Sequence, residues 1–178
     1  CDRYWAKGLP VMPLKAYTPD GGPDGKPTGK EPVVLNWQSL QSRMPTDTER
    51  ASWKVFQRAG NIGLPLGPQS GLVAIDIDSD DPKVLGVIDQ VLPLSPWRRV
   101  GQKGKVLVYK YEGQPIIRIR HKQDDGKMGT LIEMLSAGSQ IVLPPSIHPK
   151  TGRAYYANCE LLDVLDQMGP LDLADRQV

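Results

Sequence analysis

The sequence predicts a mixed α/β domain with an antiparallel or mixed sheet in its second half, and three stretches carry that expectation. From Leu72 to Asp78, Val73, Ile75 and Ile77 alternate with a face that holds Asp76 and Asp78, the period of a strand. From Thr46 to Ala59 the signals are helical: Thr46 or Asp47 can cap, Glu49 falls near the third helical position, and Trp53, Val55 and Phe56 supply an apolar face. Leu131 to Leu135 and Gln140 to Leu143 read as paired strands around Ala137-Gly138.

The remaining elements follow in order. Tyr4 to Leu14 reads as a short helix and then an apolar strand from Leu9 to Leu14, bounded by prolines. Between Tyr17 and Pro32, Gly21, Gly22, Pro23, Gly25, Pro27 and Gly29 exclude regular structure, and a loop this long in a compact domain is functional or mobile. Gly60 closes the Thr46 helix, Asn61 to Leu66 gives an apolar strand, and Gly67 to Gly71 a turn. Asp81-Pro82 opens a helix to Leu92. Val100 to Tyr111 reads as a strand entered through a Gly101 to Gly104 loop, Ile116 to Arg120 as another, and Leu161 to Met168 as a helix.

A chain of 178 residues can bury a core without staples. Cys1 and Cys159 form no disulfide framework and no CxxC pair, and no apolar run approaches the roughly 20 residues that cross a bilayer. A cytoplasmic protein with no membrane partner is expected. Because the sequence begins at Cys1, it is read as one domain, residues 1–178, of a longer protein. The net charge of +2 does not by itself demand a nucleic-acid partner. Lys103, Lys105, Lys110, Arg118, Arg120, His121 and Lys122 nevertheless make the middle third basic, serving either as a phosphate track or as a solvated hairpin face.

Asp76-Ile77-Asp78 is the sharpest local feature. A strand sends residues i and i+2 to one face, so two carboxylates meet at one point and repel unless something positive offsets them. Hard oxygen ligands of this kind suit Mg²⁺ or Mn²⁺, although a strand-end turn capped with help from Asp80 and Asp81 accounts for the same residues. Glu133 shifts the balance, because it interrupts an otherwise apolar Leu131 to Leu135 and a buried carboxylate needs a partner. Three such groups can hold two ions for nucleotidyl transfer or for phosphodiester hydrolysis. The turn from Pro144 to Pro149, followed by Thr151-Gly152-Arg153, offers Ser146, His148 and Arg153 to phosphate oxygens, or is a proline-fixed surface turn. Gly67 to Gly71 lacks the P-loop pattern.

Together these segments resemble the N-terminal domain of bifunctional primase-polymerases, in the archaeo-eukaryotic primase superfamily common in phages and plasmids. The resemblance spans most of the chain: Gly29-Lys30-Glu31-Pro32 ahead of Asn36-Trp37, Asn61-Ile62-Gly63-Leu64, Ser70-Gly71-Leu72, Asp76-Ile77-Asp78, Glu133, and Gly138 to His148 with Pro149 and Tyr155. It implies an α/β domain of archaeo-eukaryotic primase type, with a catalytic sheet like an RNA-recognition motif, flanking helices and an N-terminal α/β portion. It also implies that Asp76, Asp78 and Glu133 are the metal-binding acids, acting on a single-stranded or primed DNA template with dNTP or NTP in a phage- or plasmid-bearing bacterial cell. A helicase following Val178 is the family habit. One departure stands out, since the family places a triphosphate-contacting histidine where this chain has Val106, so Lys103 or Lys105 with His148 and Ser146 is expected to replace it.

The expected activity is thus template-directed nucleotidyl transfer. A metal-dependent nuclease using the same carboxylates and a non-catalytic nucleic-acid-binding initiator module are its rivals.

Overall fold

The computed structural model describes residues 1–21, 25–57, 60–122 and 126–172. Its elements are α1 (Asp2–Ala6), β1 (Met12–Pro13), α2 (Asp47–Gln57), β2 (Ile62–Pro65), β3 (Leu72–Ile77), α3 (Pro82–Val91), β4 (Arg98–Val100), β5 (Lys105–Lys110), β6 (Ile117–Lys122), β7 (Met128–Leu135), β8 (Gln140–Leu143) and β9 (Tyr156–Ala157). Single 3₁₀ turns occupy Trp37–Gln41, Leu161–Asp163 and Leu165–Gln167. The Leu161 to Met168 segment is therefore two short turns rather than one helix.

The mixed α/β class holds, with two antiparallel sheets and few helices. The small sheet has the order β1-β2-β8 and the large one β6-β7-β3-β5-β4-β9. The expected pairing of residues 131–135 with 140–143 does not occur: β7 pairs with β3 and β6, while β8 pairs with β2 in the other sheet. The Ser136 to Ser139 turn hands the chain from one sheet to the other, closed by Ser139 N–H donating to Ser136 O. Fully apolar Ile141, Val142 and Leu143 find burial against the N-terminal layer that the large sheet does not offer them.

Two cores result, one on each face of the large sheet. On the front, Leu72, Ala74, Val106 and Val108 pack with Val11, Leu14, Leu64 and Ile141 of the small sheet and its connections. On the back, Val73, Ile75, Ile77, Leu107 and Tyr109 pack with Ile88 of α3 and with Leu171. Strand β3 is thus apolar on both faces over its first half, because both are covered.

Local chemistry sets the helix starts. Asp81 accepts from Lys83 N–H at 2.8 Å with Pro82 at the first position of α3. At α2, Glu49 N–H donates to Thr46 Oγ1 at 3.2 Å and Thr46 N–H to Glu49 Oε2 at 2.7 Å, a reciprocal capping box. Glu49 is also gripped bidentately by Arg43, at 2.7 and 2.8 Å. Of the apolar face expected for α2, Trp53 is buried but Val55 and Phe56 are exposed, because only one side of the helix meets α1 and β1. Residues 58 and 59 of that expected helix, and 22–24 of the glycine-proline loop, lie outside the described residues.

The hydrogen bonds from Arg43 hold the Glu49 carboxyl at about 2. A carboxyl depressed in the folded state contributes stability that is complete above its ordinary value of 4.5 and is lost as the pH falls towards about 2. Urea unfolding of Glu49→Gln against pH should therefore show a shallower acid-side decline than the wild type, with a loss of about 1 kcal/mol at neutral pH from the weakened cap.

Candidate active site

The front face of β3 changes character midway. Leu72 and Ala74 lie in the front core, whereas Asp76, and Asp78 just beyond the strand, emerge into a cleft. Antiparallel register then builds a row across the sheet on that face. Arg118 of β6 lies opposite Glu133 of β7, Glu133 opposite Asp76, Asp76 opposite Val106 of β5, and Val106 opposite Arg99 of β4. Opposed side chains in such a ladder are close neighbours, so two carboxylates sit side by side with arginines beyond them.

Two of the three carboxylates already have cationic partners. Arg118 Nε donates to Glu133 Oε1 at 2.6 Å, and Lys103 Nζ lies 3.3 Å from Asp78 Oδ1. Asp76 has no hydrogen bond or ion pair among the described residues. Burial pushes its carboxyl above the ordinary value; Arg99 and Lys30 oppose that shift, and Asp78 and Glu133 add to it.

The opposite wall is cationic and aromatic. Arg99 is buried, donates from Nη1 to Val142 O at 3.2 Å, and lies 4.4 Å from the centre of the Tyr155 ring. Its Nε and the Tyr155 hydroxyl are both shut off from solvent, and neither meets hydrogen-bond geometry with another described residue. The His148 ring meets Tyr155 edge-on at 5.0 Å. Both rings lie against Gly101, where a Cβ would stand 2.9 Å from Tyr155 Cε1 and 3.2 Å from His148 Cδ2. Lys150 N–H donates to His148 Nδ1 at 3.2 Å, which leaves the proton of the neutral ring on Nε2. Burial, then Lys30, Arg99 and Lys150, drive the imidazole down to about 4. His148 is a neutral donor, not the cation that its exposure on a turn would have allowed. Burial pushes the Tyr155 hydroxyl up to about 12 against the opposing pull of Arg99, so it too keeps its proton.

Lys30 reaches this wall from the long loop, and a single buried side chain holds it there. Asn61 donates from Nδ2 to Gly29 O and to Ile147 O, each at 2.8 Å, and accepts from Ile147 N–H at 2.8 Å. One amide thereby docks the Lys30 loop and the His148 turn against the start of β2. Gln140 adds a bond from Nε2 to Lys30 O at 3.1 Å, and Gly63 makes room for it: a Cβ there would stand 2.5 Å from Gln140 Oε1.

The result is a cleft of about 200 Å³ whose lining includes five cations, Lys30, Arg99, Lys103, Lys105 and Lys150, against three carboxylates, with Gln102 and Thr130 at its rim. Such a division suits a polyanion bound together with hard divalent cations. Three hard oxygen donors on one sheet face, one of them without a partner, match that class of ion. Among the described residues, however, no three acidic, histidine or cysteine side chains are gathered closely enough to hold an ion, because Glu133 is turned to Arg118 and Asp78 to Lys103.

The Prim-Pol family model, described as bifunctional DNA primase/polymerase, N-terminal, matches residues 2–171. The chain belongs to this family. No curated protein matches it. Membership brings DNA primase/polymerase activity as the family's chemistry, and no helix among the described residues is long and apolar enough to cross a membrane.

Of the residues singled out for this Prim-Pol domain, Asp76, Asp78, Glu133, Lys103, Lys105 and His148 line the one cleft. Lys105 sits at its rim with its ammonium paired to Asp89 of α3. Ser146 and Arg153 do not line it. Ser146 is buried, with Oγ accepting from Ile62 N–H at 3.0 Å, and ties the turn to β2. The Arg153 side chain is exposed, and only its carbonyl contributes, accepting from His148 N–H at 2.7 Å. Val106, where the family carries a histidine, is buried in the front core, and its neighbour in the row is Arg99. Sequence reasoning assigned no role to Arg99, Lys150 or Lys30. The one available signal for Arg99 was its place next to the strand-opening Val100-Gly101, two positions before a glycine that faces the cleft.

Asn61→Ala removes the donor to two carbonyls and the acceptor of one N–H, and leaving such groups unsatisfied should cost about 2 kcal/mol in urea unfolding. Limited proteolysis within residues 17–32 should also become faster relative to the wild type under native conditions. Asn61→Asp, which sets a buried carboxylate oxygen against the Gly29 and Ile147 carbonyls, should cost at least as much as Asn61→Ala at neutral pH.

Proposed function

We propose that this cleft binds a nucleoside triphosphate beside the 3′ end of a DNA primer on its template and joins the two, as a single catalytic unit built from both sheets. The observation that carries the reading is the cross-strand row, with Asp76 and Glu133 side by side and Arg99 two places away on the same face. The bond formed is between the 3′-oxygen and the α-phosphorus, and the bond broken is that to the bridging oxygen of the leaving pyrophosphate.

Asp76, Asp78 and Glu133 would hold Mg²⁺ or Mn²⁺, which when bound lowers the pKa of the attacking hydroxyl and neutralises charge on the phosphates. Binding there asks Glu133 and Asp78 to exchange Arg118 and Lys103 for the ion, while Asp76 has nothing to exchange. Arg99 is fixed by Val142 and the Tyr155 ring before any substrate arrives, so its guanidinium lines the cleft as a preorganised positive charge for phosphate oxygens. His148 offers its Nε2–H as a neutral donor, and Tyr155 backs both His148 and Arg99 with its ring. Lys30, Lys103 and Lys150 supply screening charge around the triphosphate.

Primer extension on a primed single-stranded template with Mg²⁺ or Mn²⁺ and dNTPs tests the reading. The wild type should extend, and Asp76→Ala and Asp78→Ala should each reduce extension by at least about 100-fold without loss of fold. Shortening of the primer would make the protein a nuclease instead. Binding without extension, unaffected by Asp76→Ala, would make it a binding module.

Two further variants probe the cationic wall. Arg99→Met should weaken nucleotide binding by about 10-fold or more, seen as a raised KM or a raised Kd in the presence of Ca²⁺. Because His148 titrates near 4, His148→Gln should lower nucleotide affinity while leaving the shape of the pH–rate profile between about pH 6 and 8 unchanged. Loss of a limb near 6.5 in that variant would mean that the imidazole ionises during turnover.

A further inference from the structure

The large sheet has a second face, and at its β6 end no described residue covers that face. Helix α3 covers its centre, but between the helix and β6 runs a groove of about 210 Å³ lined wholly by apolar side chains, among them Ile75, Ile88, Ile117, Ile119, Ile132 and Met134. Ile117 and Ile119 are 46% and 51% exposed, and Val87 on the helix side reaches 60%. A contiguous apolar surface of this kind marks a docking site more often than bare solvent contact.

Two further features say what would cover it. Strand β6 pairs only with β7 among the described residues, so its outer backbone N–H and C=O groups have no ladder partner, and no proline interrupts its six residues. Its other face carries Arg118, Arg120 and Lys122, and neither Arg120 nor Lys122 has an ion-pair partner among the described residues. We propose that β6 is a docking edge for an extended peptide segment of a partner protein in which apolar and acidic residues alternate. The peptide adds as a strand beyond β6, with its apolar side chains over Ile117 and Ile119 in the groove and its acidic ones beside Arg120 and Lys122. The period of two along a strand is what joins the two requirements in one ligand.

Other occupants meet only part of this. A second copy pairing β6 with β6 would set one row of cations against another on the same face, which is destabilising. A nucleic-acid backbone would satisfy the cations but leave the groove and the unpaired backbone uncovered. The groove lies on the face opposite the cleft, and although Arg120 and Lys122 stand on the cleft face, neither lines the cleft, so the inference does not rest on the catalytic reading.

The test uses the whole chain and a fluorescein-labelled peptide of alternating Glu and Val, read by anisotropy, beside the corresponding Lys and Val peptide. The Glu peptide should bind saturably and slow amide hydrogen exchange in β6, and the Lys peptide should bind at least about tenfold more weakly. Arg120→Glu with Lys122→Glu should reverse that preference, and Ile119→Lys, at an exposed position, should abolish binding with the circular dichroism spectrum retained. Absence of saturable binding by the folded protein, or equal binding of the two peptides, overturns the proposal. So does a dimer in light scattering that Ile119→Lys disperses, which would give the edge to self-association. Loss of single-stranded DNA binding in the double charge variant, with no peptide binding in the wild type, would give the cations to nucleic acid and equally overturn it.

Discussion

Antiparallel register across β4, β5, β3, β7 and β6 is the constraint on which the cleft depends. Arg99, Val106, Asp76, Glu133 and Arg118 come from five separate strands, yet the ladder places them in one row on one face. A slip of a single residue in any pairing would turn the affected side chain to the opposite face and into the back core. That core is what forbids the slip, because Val73, Ile75, Ile77, Leu107 and Tyr109 are all buried there. The packing of apolar residues behind the sheet thus fixes the acids in front of it.

The second support is the covering layer. The small sheet occupies only the first half of the front face, and the site begins where the cover ends. Its own contribution arrives through loops, which lack a ladder to fix them. Asn61 replaces that ladder for two of them at once, joining the backbone at Gly29 and at Ile147. Lys30 and His148 therefore reach the cleft from segments far apart in sequence through one buried amide. A buried amide with three satisfied hydrogen bonds is stable, whereas one with fewer would be a liability.

Charge within the cleft is divided by burial and distance. Asp76 sits deepest among the acids, with a carboxyl pushed up by burial and restrained by Arg99 and Lys30. His148 and Tyr155, packed on each other and on Gly101, are held neutral by the same low-dielectric wall. An arginine beside a neutral imidazole donor offers hydrogen bonds without further raising the positive charge, so the cationic excess stays with the lysines.

Much of this was legible from the amino-acid order alone. Period two made Leu72 to Asp78 a strand with both aspartates on one face, and the capping pattern at Thr46 and at Asp81 marked two helix starts, because these signals need only neighbours within one turn or one pleat. Glu133 stood out by interrupting an apolar run. What tertiary structure decided was everything that depends on which distant segments meet. It sent Gln140 to Leu143 to a different sheet from Leu131 to Leu135, tied Ser146 into β2 instead of the cleft, and left Arg153 outside. It also brought in Arg99 and Lys150, and gave Lys30, which stands in a segment that resembles the family, its place in the cleft. The residues themselves determine the local period and the charge of each face; the pairing of strands and the docking of loops depend on burial shared between segments far apart in the chain, which only the folded protein brings together.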